Sequence, residues 1–291
     1  MSVFKSYYKK GLWILFFVLA ASNLIIWQAV FEKESEPDLA VYFLNVGQGD
    51  SIFIQARDGT QVLIDGGPNS QVLSKLGSVM PYYDRSIDAV ILTHPHKDHV
   101  SGLIEVLKRY EVGAVFESGM EYNTSEAGEF ERLIFSKGVK KIDVKGPTKL
   151  SFFNGGEIKF LYPDVSFEGR SLKNAHDAML VAELIFESKK IMFMGDAEKG
   201  LEAALSWRGL IDDVDVLKVG HHGSKNSSSD VFLRKVKPEY SVISVGKNNY
   251  GHPTSEAMTR LASVGSKIFR TDRDGTVIFE ITGGAISWYF E

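Results

Sequence analysis

The segment Ile91–Leu107, ILTHPHKDHVSGLIEVL, places three histidines and an aspartate within six residues, from His94 to His99. The whole chain has only 7 histidines, so a chance grouping of three in one loop is improbable. An apolar run leads into the group and predicts a strand. After the group, apolar residues recur at the spacing of a helix, at Val100, Leu103, Ile104 and Leu107.

The spacing inside this loop favours two neighbouring metal ions over one. Residues two apart in an extended segment point to the same side, so His94 and His96 can converge on one ion. Asp98 and His99 lie where the chain turns into the helix, and their side chains can reach a second point. Four ligands within six residues can surround one tetrahedral ion only if the loop is contorted, whereas two-metal hydrolytic sites hold their ions ~3.5–4 Å apart. The alternative is a polar loop whose histidines are exposed by chance.

Further candidate ligands lie at the ends of other predicted elements. The chain has no cysteine, so any metal must be held by nitrogen and oxygen ligands. Asp196 comes directly after an apolar run, and its two carboxylate oxygens can bridge two cations. The remaining histidines also lie at strand ends or before a helix, at His176, His221, His222 and His252.

The rest of the chain alternates predicted strands and helices. With 291 residues, 44% of them hydrophobic, the chain can bury a large core, and disorder is excluded as its main state. Runs rich in β-branched and aromatic residues occur in both halves, with amphipathic stretches between them. This pattern predicts an α/β fold in which two sheets pack together with helices on the outside.

The N-terminal segment has a different character. Three lysines precede an apolar run from Gly11 to Phe31, which just reaches the ~20 residues that span a bilayer as a helix. The pattern predicts a membrane anchor over residues 1–31 with its N-terminus in the cytoplasm, an acidic linker over 32–38, and a domain outside the cytoplasm over 39–291. Secretion after cleavage of a signal peptide near LAAS is the alternative.

The motifs resemble those of a known superfamily. THPHKDH is similar to the H-x-H-x-D-H signature of the metallo-β-lactamase fold superfamily. In order along the chain, LNVGQGDSIFI, VLIDGG, MGDAE, LKVGHHGS and NNYGHP resemble the soluble hydrolase domain of the ComEC family of DNA-uptake proteins. The resemblance runs from Leu39 to the C-terminus and implies an αββα sandwich of two mixed sheets, with a metal site at one edge.

The resemblance also implies roles for the candidate residues. Asp196 would bridge two divalent metals, with Asp65 bracing the loop of ligands, although a turn-capping role for Asp65 is about as plausible. The implied ligands are His94, His96 and His176 at one metal, and Asp98, His99 and His252 at the other. His222 is expected to face the substrate and to donate a proton, with His221 anchoring the loop. If His252 proves remote, one of these two histidines is expected to replace it.

The chemistry expected of such a site is metal-dependent hydrolysis. Two divalent cations, zinc through its preference for imidazole or manganese through the two carboxylates, would activate a water that Asp98 or Asp196 orients. The substrate expected is a phosphodiester, either DNA or a smaller ester such as a decorated wall polymer. Hydrolysis of a lactone, thioester or β-lactam and a non-catalytic tethered binding module are the alternatives.

Partners are less well defined by the sequence. The formal net charge of −4 provides no global basic field that would draw the protein to nucleic acid. Within the family the hydrolase domain normally accompanies a multi-helix membrane channel, whereas only one anchor is predicted here. A role in DNA translocation therefore does not carry over, and a separate channel partner stays open.

Overall fold

A computed structural model describes residues 11–24, 26–27, 36–170, 172 and 174–291 of the chain. The chain forms two units, residues 1–37 and residues 38–291. The boundaries that the sequence suggests for the anchor, linker and domain stay predictions.

The first unit contradicts the predicted membrane anchor. Its described helical residues are 11–24 and 26–27. Across the described part of the chain, no helix is both long enough and apolar enough to cross a bilayer. The expected single-pass anchor, and the membrane location and orientation built on it, were therefore wrong. Residues 1–10, 25 and 28–35 of the predicted anchor and linker lie outside the described residues.

The second unit is built from strands and helices in alternation. The strands are β1 (Leu39–Phe43), β2 (Ile52–Ala56), β3 (Gln61–Ile64), β4 (Ser86–Ile91), β5 (Glu111–Glu117), β6 (Lys140–Asp143), β7 (Thr148–Ser151), β8 (Glu157–Tyr162), β9 (Val181–Phe186), β10 (Lys189–Phe193), β11 (Val216–Lys218), β12 (Tyr240–Ile243), β13 (Lys267–Arg270), β14 (Val277–Thr282) and β15 (Ala285–Phe290). The helices are α1 (Gln71–Val79), α2 (Lys97–Arg109), α3 (Ser125–Lys137), α4 (Lys199–Trp207), α5 (Asp230–Val236), α6 (Ser255–Ser263) and α7 (Thr271–Asp274). Single 3₁₀ turns occur at Ala175–Ala178 and Gly220–Gly223.

The strands form two mixed sheets. The first sheet has the order β15-β14-β1-β2-β3-β4-β5-β6, and the second has the order β13-β12-β11-β10-β9-β8-β7. In the first sheet β3, β4, β5 and β6 are parallel, and in the second sheet β10, β11, β12 and β13 are parallel. Each sheet thus has a parallel half, where loops at the carboxyl ends of neighbouring strands lie side by side.

Three apolar layers hold the fold together. Between the sheets, Phe43 of β1 lies 6.4 Å from Phe193 of β10 by ring centroids, and Phe116 of β5 stacks on Phe160 of β8. On the outer faces, α1, α2 and α3 cover the first sheet, and α4, α5 and α6 cover the second. This arrangement confirms the predicted α/β sandwich of two mixed sheets with outer helices.

Candidate metal centre

The loop between β4 and α2 carries four of the candidate ligands, and a buried carboxylate fixes its start. Asp65, which follows β3, accepts hydrogen bonds from the backbone N–H of Thr93 at 2.8 Å and from its hydroxyl at 2.7 Å. A third contact joins the same carboxylate to Nδ1 of His99 at 2.7 Å. Asp65 therefore connects the parallel neighbours β3 and β4 exactly where the ligand loop begins.

A close backbone approach brings Asp65 to His99. Gly66 packs directly against Gly102 of α2, where a Cβ on either residue would collide with the backbone of the other segment. The backbone N–H of Gly66 donates to the carbonyl of His99 at 2.8 Å. Asp65 itself has a φ of 55°, a left-handed conformation that a residue other than glycine keeps only where its surroundings require it.

Six histidines and aspartates meet in two groups of side chains that share a seventh residue, Asp196. Asp196 follows β10, and its Oδ2 and Oδ1 atoms face different groups. Cluster A consists of His94, His96, His176 and Asp196, and cluster B consists of Asp98, His99, His222 and Asp196. Within each cluster the possible ligand atoms lie within 4.8 Å of one another.

Cluster A is rich in imidazole. Nε2 of His94 lies 3.0 Å from Nδ1 of His96 and 3.8 Å from Oδ2 of Asp196. Nε2 of His176, which the 3₁₀ turn before β9 supplies, lies 3.8 Å from the same Oδ2. His94 is buried, whereas His96 and His176 are only partly so. The three imidazoles thus converge beside one oxygen of Asp196.

Cluster B contains two carboxylates. Nε2 of His222 lies 3.3 Å from Oδ2 of Asp98 and 3.5 Å from Oδ1 of Asp196. Nε2 of His99 lies 3.5 Å from Oδ1 of Asp196 and 4.0 Å from Oδ2 of Asp98. Both histidines are almost fully buried, and Asp98 in the first turn of α2 is the more open member.

These donor sets fit metal ions. Two nitrogen or oxygen ligands of one tetrahedral zinc ion, each 2.0–2.2 Å from it, lie about 3.3 Å apart, close to the separations in both clusters. Three buried atoms that point into the clusters have no hydrogen-bond partner among the described residues: Nε2 of His99, Nε2 of His176 and Oδ1 of Asp196. Buried polar atoms are rarely left unpaired, so this arrangement suits a cation between them.

The electrostatic field differs between the clusters. Burial alone would lower the pKa of His99 and of His222, but nearby carboxylates outweigh it. Asp196 and Asp65 hold the pKa of His99 well above its ordinary value, and Asp196 and Asp50 raise that of His222 to about 10. In cluster A, burial and the neighbouring imidazoles lower the pKa of His94 well below its usual range. Cluster B is therefore the point where the fold most favours positive charge.

The sequence was compared with models of protein families. Residues 44–247 match the model described as the metallo-beta-lactamase superfamily. The chain belongs to the metallo-β-lactamase superfamily. Proteins of this superfamily are generally metal-dependent hydrolases. Every residue of clusters A and B lies within residues 44–247, the part of the chain that matches the family.

Curated relatives confirm the resemblance to the ComEC family. ComE operon protein 3 of Bacillus subtilis is 30% identical over 84% of this chain and 33% of its own length. Competence protein ComA of Neisseria gonorrhoeae is 28% identical over 88% of this chain and 34% of its own length. The chain thus spans about a third of the length of these relatives.

A solved structure supports the fold. The metallo-β-lactamase fold protein YhfI of Bacillus subtilis aligns with a TM-score of 0.56, over 86% of this chain and 99% of that one. At 15% sequence identity, this likeness shows the fold of the superfamily and nothing finer.

One of the expected metal ligands, His252, lies outside both clusters. His252 is absent from the groups of possible ligand atoms formed by the described residues, and His222 occupies the place expected for it in cluster B. The reason is the turn after β11, where His221 and His222 both adopt left-handed φ angles, of 48° and 51°. This strained turn directs the buried His222 inward and leaves it poorly placed as a substrate-facing proton donor.

His221 and His252 lie at the border of the clusters. Nε2 of His221 lies 3.8 Å from Oδ2 of Asp196, and its Nδ1 lies 3.2 Å from a carboxylate oxygen of Glu198. The ring of His252 lies 5.5 Å from that of His221, and both residues are partly exposed. Of the two neighbours, His221 is thus partly exposed and His222 is buried, and the roles expected of them stay predictions.

A buried ion pair behind His222 was not expected from the sequence. Nζ of Lys218 lies 2.6 Å from Oδ2 of Asp50, and both side chains are almost completely buried. The other oxygen of Asp50 lies 3.3 Å from Nδ1 of His222, which also contacts the carbonyl of Ser244 at 2.9 Å. Asp50 of the GQGD turn thus stands behind His222 as Asp65 stands behind His99.

An acidic cavity of about 880 Å³ adjoins cluster A at His94 and Pro95. Burial, together with the neighbouring Glu131, raises the pKa of Glu117 in its wall to about 7. The carboxylate and lysine side chains that line it are Glu117, Glu121, Glu131, Lys141, Asp143 and Glu168. Because five of these six are acidic, this side of the site disfavours an anionic chain.

Proposed function

We propose that the protein is a two-metal phosphodiesterase that acts as a nuclease. The observation that carries the proposal is the sharing of Asp196, whose two oxygens face different clusters of N/O ligands. One ion would be held by His94, His96 and His176, and the other by Asp98, His99 and His222. Asp196 would contact both. Two ions bound in this way would supply an activated water and neutralise charge on a phosphoryl oxygen.

The remaining residues prepare the site for a substrate. Asp98 is the most exposed ligand of cluster B, with 34% of its side chain accessible, so its carboxylate can accept a hydrogen bond from a water at the open face. Asp65 fixes the ring orientation of His99 from behind, and the carbonyl of Ser244, at 2.9 Å from Nδ1, fixes that of His222, with the Asp50 carboxylate 3.3 Å from the same nitrogen. The side chains of the clusters therefore need little rearrangement when metal ions bind.

His221 is the residue best placed to donate a proton to the leaving group. It borders cluster A, it is partly exposed, and Glu198 contacts its Nδ1 and so holds its ring with Nε2 towards the site. A histidine that a carboxylate orients is a common general acid. His222 cannot take this role in the same way, because its Nε2 faces Asp98 and Asp196.

The names of the relatives support a nucleic-acid substrate. ComA is called a competence protein, and a third relative, from Haemophilus influenzae, is called recombination protein 2 and is 28% identical over 85% of this chain. This chain covers only 29% of that relative, so a link to DNA uptake or to a membrane channel partner is part of the proposal. Zinc suits the imidazoles of cluster A, and manganese suits the carboxylates of cluster B.

The direct test is hydrolysis by the purified full chain loaded with zinc or manganese. Bis(p-nitrophenyl) phosphate, single-stranded DNA and double-stranded DNA would be compared with a lactone, a thioester and a β-lactam. We expect diester cleavage that a chelator abolishes, that His96→Ala removes and that Tyr82→Ala, at an exposed distant site, leaves unchanged. Turnover of only the carboxylic esters or amides would replace the proposal with the alternative hydrolase. Tight binding of phosphate without turnover under either metal would favour a binding module.

A further inference from the structure

The loop of residues 246–252, called here the Tyr250 loop, places an aromatic ring at the border of the metal centre. Tyr250 is 75% exposed, yet its ring lies 5.8 Å from that of His252, inclined by 33°. His252 in turn contacts His221, which borders cluster A. A continuous line of rings therefore joins the exposed tyrosine to the site.

The Tyr250 loop is held in place by its own hydrogen bonds. The side chain of Asn248 donates to the carbonyls of Gly246 and His252, at 2.9 and 2.8 Å. Its Oδ1 accepts from the backbone N–H groups of Tyr250 and His252, at 3.1 and 3.0 Å. One asparagine thus fixes both ends of the turn that presents Tyr250. An exposed ring on a fixed turn loses little conformational freedom when a flat ligand stacks on it.

The Tyr250 loop is also fixed to its surroundings. The backbone N–H of Gly246 donates to the side chain of Gln48 in the GQGD turn, at 3.2 Å. At its other end, the backbone N–H of Thr254 donates to the carbonyl of Gly223, at 2.9 Å. The loop therefore joins the turn that carries His221 and His222, and these two segments form one wall of the site.

This wall differs in charge from the opposite side. Residues 221–229 and 246–255 contain two exposed lysines, Lys225 and Lys247, and no Asp or Glu, while the carboxylates of Glu198, Asp230 and Glu256 adjoin these segments. The cavity beside His94 is instead lined mainly by carboxylates. An anionic chain whose phosphate reaches the clusters therefore meets less negative charge along the wall of the Tyr250 loop than along the cavity.

We propose that Tyr250 is a base-stacking residue, on which the base of the nucleotide next to the scissile phosphodiester lies. The proposal rests on the proposed phosphodiesterase function and assigns its substrate to the nucleic acids. Stacking of bases on exposed aromatic side chains in a positively charged groove is how proteins hold single strands without reading their sequence. The Tyr250 wall presents such an exposed aromatic ring beside the metal centre, with Lys247 in the same loop.

The test compares two single-stranded substrates with the same number of phosphates. One is a thymidine hexamer, and the other is a hexamer of abasic residues that lacks every base. We expect Tyr250→Ala to lower kcat/KM for the thymidine hexamer by about 5- to 150-fold, mainly through KM, which is the loss expected for one base–aromatic stack. The abasic hexamer should be cleaved equally by both proteins, and Tyr250→Phe should keep the activity on both substrates.

Tyr82 provides a matched control. It is 86% exposed and lies in the connection before β4, at the end of that strand opposite to the ligand loop. Tyr82→Ala should change neither activity. The proposal is overturned if Tyr250→Ala affects both hexamers equally or affects neither of them.

A second measurement separates this proposal from the phosphodiesterase function. Fluorescence anisotropy of the labelled hexamers should show weaker binding of the thymidine hexamer to Tyr250→Ala, with calcium present and no turnover. If the wild-type protein cleaves both hexamers but binding does not depend on Tyr250, the stacking proposal fails and the phosphodiesterase stands. If the protein cleaves neither the hexamers nor bis(p-nitrophenyl) phosphate, the phosphodiesterase fails, and Tyr250-dependent binding would still support stacking.

Discussion

Clusters A and B share Asp196, yet the protein surrounds them differently. In cluster A, Nδ1 of His94 contacts the hydroxyl of Thr93 at 3.1 Å, and the ring of His96 lies 5.5 Å from that of Tyr122. In cluster B, both imidazoles have a buried carboxylate behind them, Asp65 for His99 and Asp50 for His222. The fold thus orients the ligands of cluster B far more firmly.

This difference predicts that the two clusters prefer different metal ions. A carboxylate behind a metal-binding histidine fixes its tautomer and increases its basicity as a ligand. Cluster B adds the carboxylate of Asp98, which cluster A has no counterpart for. We therefore expect a hard cation to prefer cluster B, and a cation that prefers imidazole to prefer cluster A.

Removing the residue that both clusters share should have the largest effect. Asp196→Asn keeps the shape of the side chain but removes the charge between the clusters. Activity on the diester should fall by more than about 10⁴-fold, the scale reached when interdependent catalytic residues lose a member. Steady-state kinetics with the metal content measured on the same sample checks this. Loss of metal from only one cluster would mean that Asp196 is not shared.

Changing His221 should separate proton donation from metal binding. His221→Ala is expected to lower kcat for DNA by about 10²–10⁴-fold, the usual contribution of a general acid, with the metal content unchanged. A diester with p-nitrophenolate as leaving group needs little protonation and should lose much less. Glu198→Gln should show the same dependence on the leaving group to a smaller degree. Equal losses on both substrates would exclude His221 as the proton donor.

Weakening the support behind His222 should affect cluster B alone. Asp50→Asn is expected to weaken binding of the second ion by about 10- to 100-fold, as other changes behind metal-binding histidines do. Glu202→Gln is the matched control, because Glu202 is also a buried carboxylate but binds the backbone of Ser228 and Ser229 instead. Titration calorimetry with each metal distinguishes the two variants. A similar loss in Glu202→Gln would indicate a general effect on the fold.

The buried ion pair also makes a prediction about stability. Lys218→Met leaves Asp50 buried without its cation, which should lower the free energy of unfolding by about 3–5 kcal/mol. Adding Asp50→Asn to that variant should restore part of the loss, because the uncompensated charge is then removed. Urea denaturation of the metal-free proteins provides the measurement. Independent, additive losses would show that the two side chains do not interact.

Much of the fold could be read from the sequence because its central strands and helices have regular apolar patterns. Four elements were missed for physical reasons. β6 and β7 are short strands at sheet edges that pair with β5 and β8, and each packs a single partly buried apolar residue, Ile142 or Leu150, against the core. Helix α7 is a single turn of four residues in which only Thr271 is buried. Helix α1 is only nine residues long and buries just Val72 and Leu76, so its pattern is weak.

The sequence predicted which kinds of residue form the candidate site and most of their positions. The loop from His94 to His99, His176 and Asp196 came together because each lies at a strand end or helix start on the same edge. The exchange between His222 and His252 depended on the left-handed backbone at His221 and His222, which no pattern of residue types encodes. The ion pair of Asp50 and Lys218 was not predicted, because a contact between distant segments leaves no local signal in the sequence. Asp50 lies in LNVGQGDSIFI and Lys218 in LKVGHHGS.

The count of bound ions in single-cluster variants tests the central claim most directly. The full chain would be saturated with zinc, dialysed and analysed by mass spectrometry for metal per protein. We predict two ions in the wild type, and one ion each in His96→Ala, which alters cluster A, and in His99→Ala, which alters cluster B. A single ion in the wild type that either substitution removes would show that the clusters form one site, and would contradict the account.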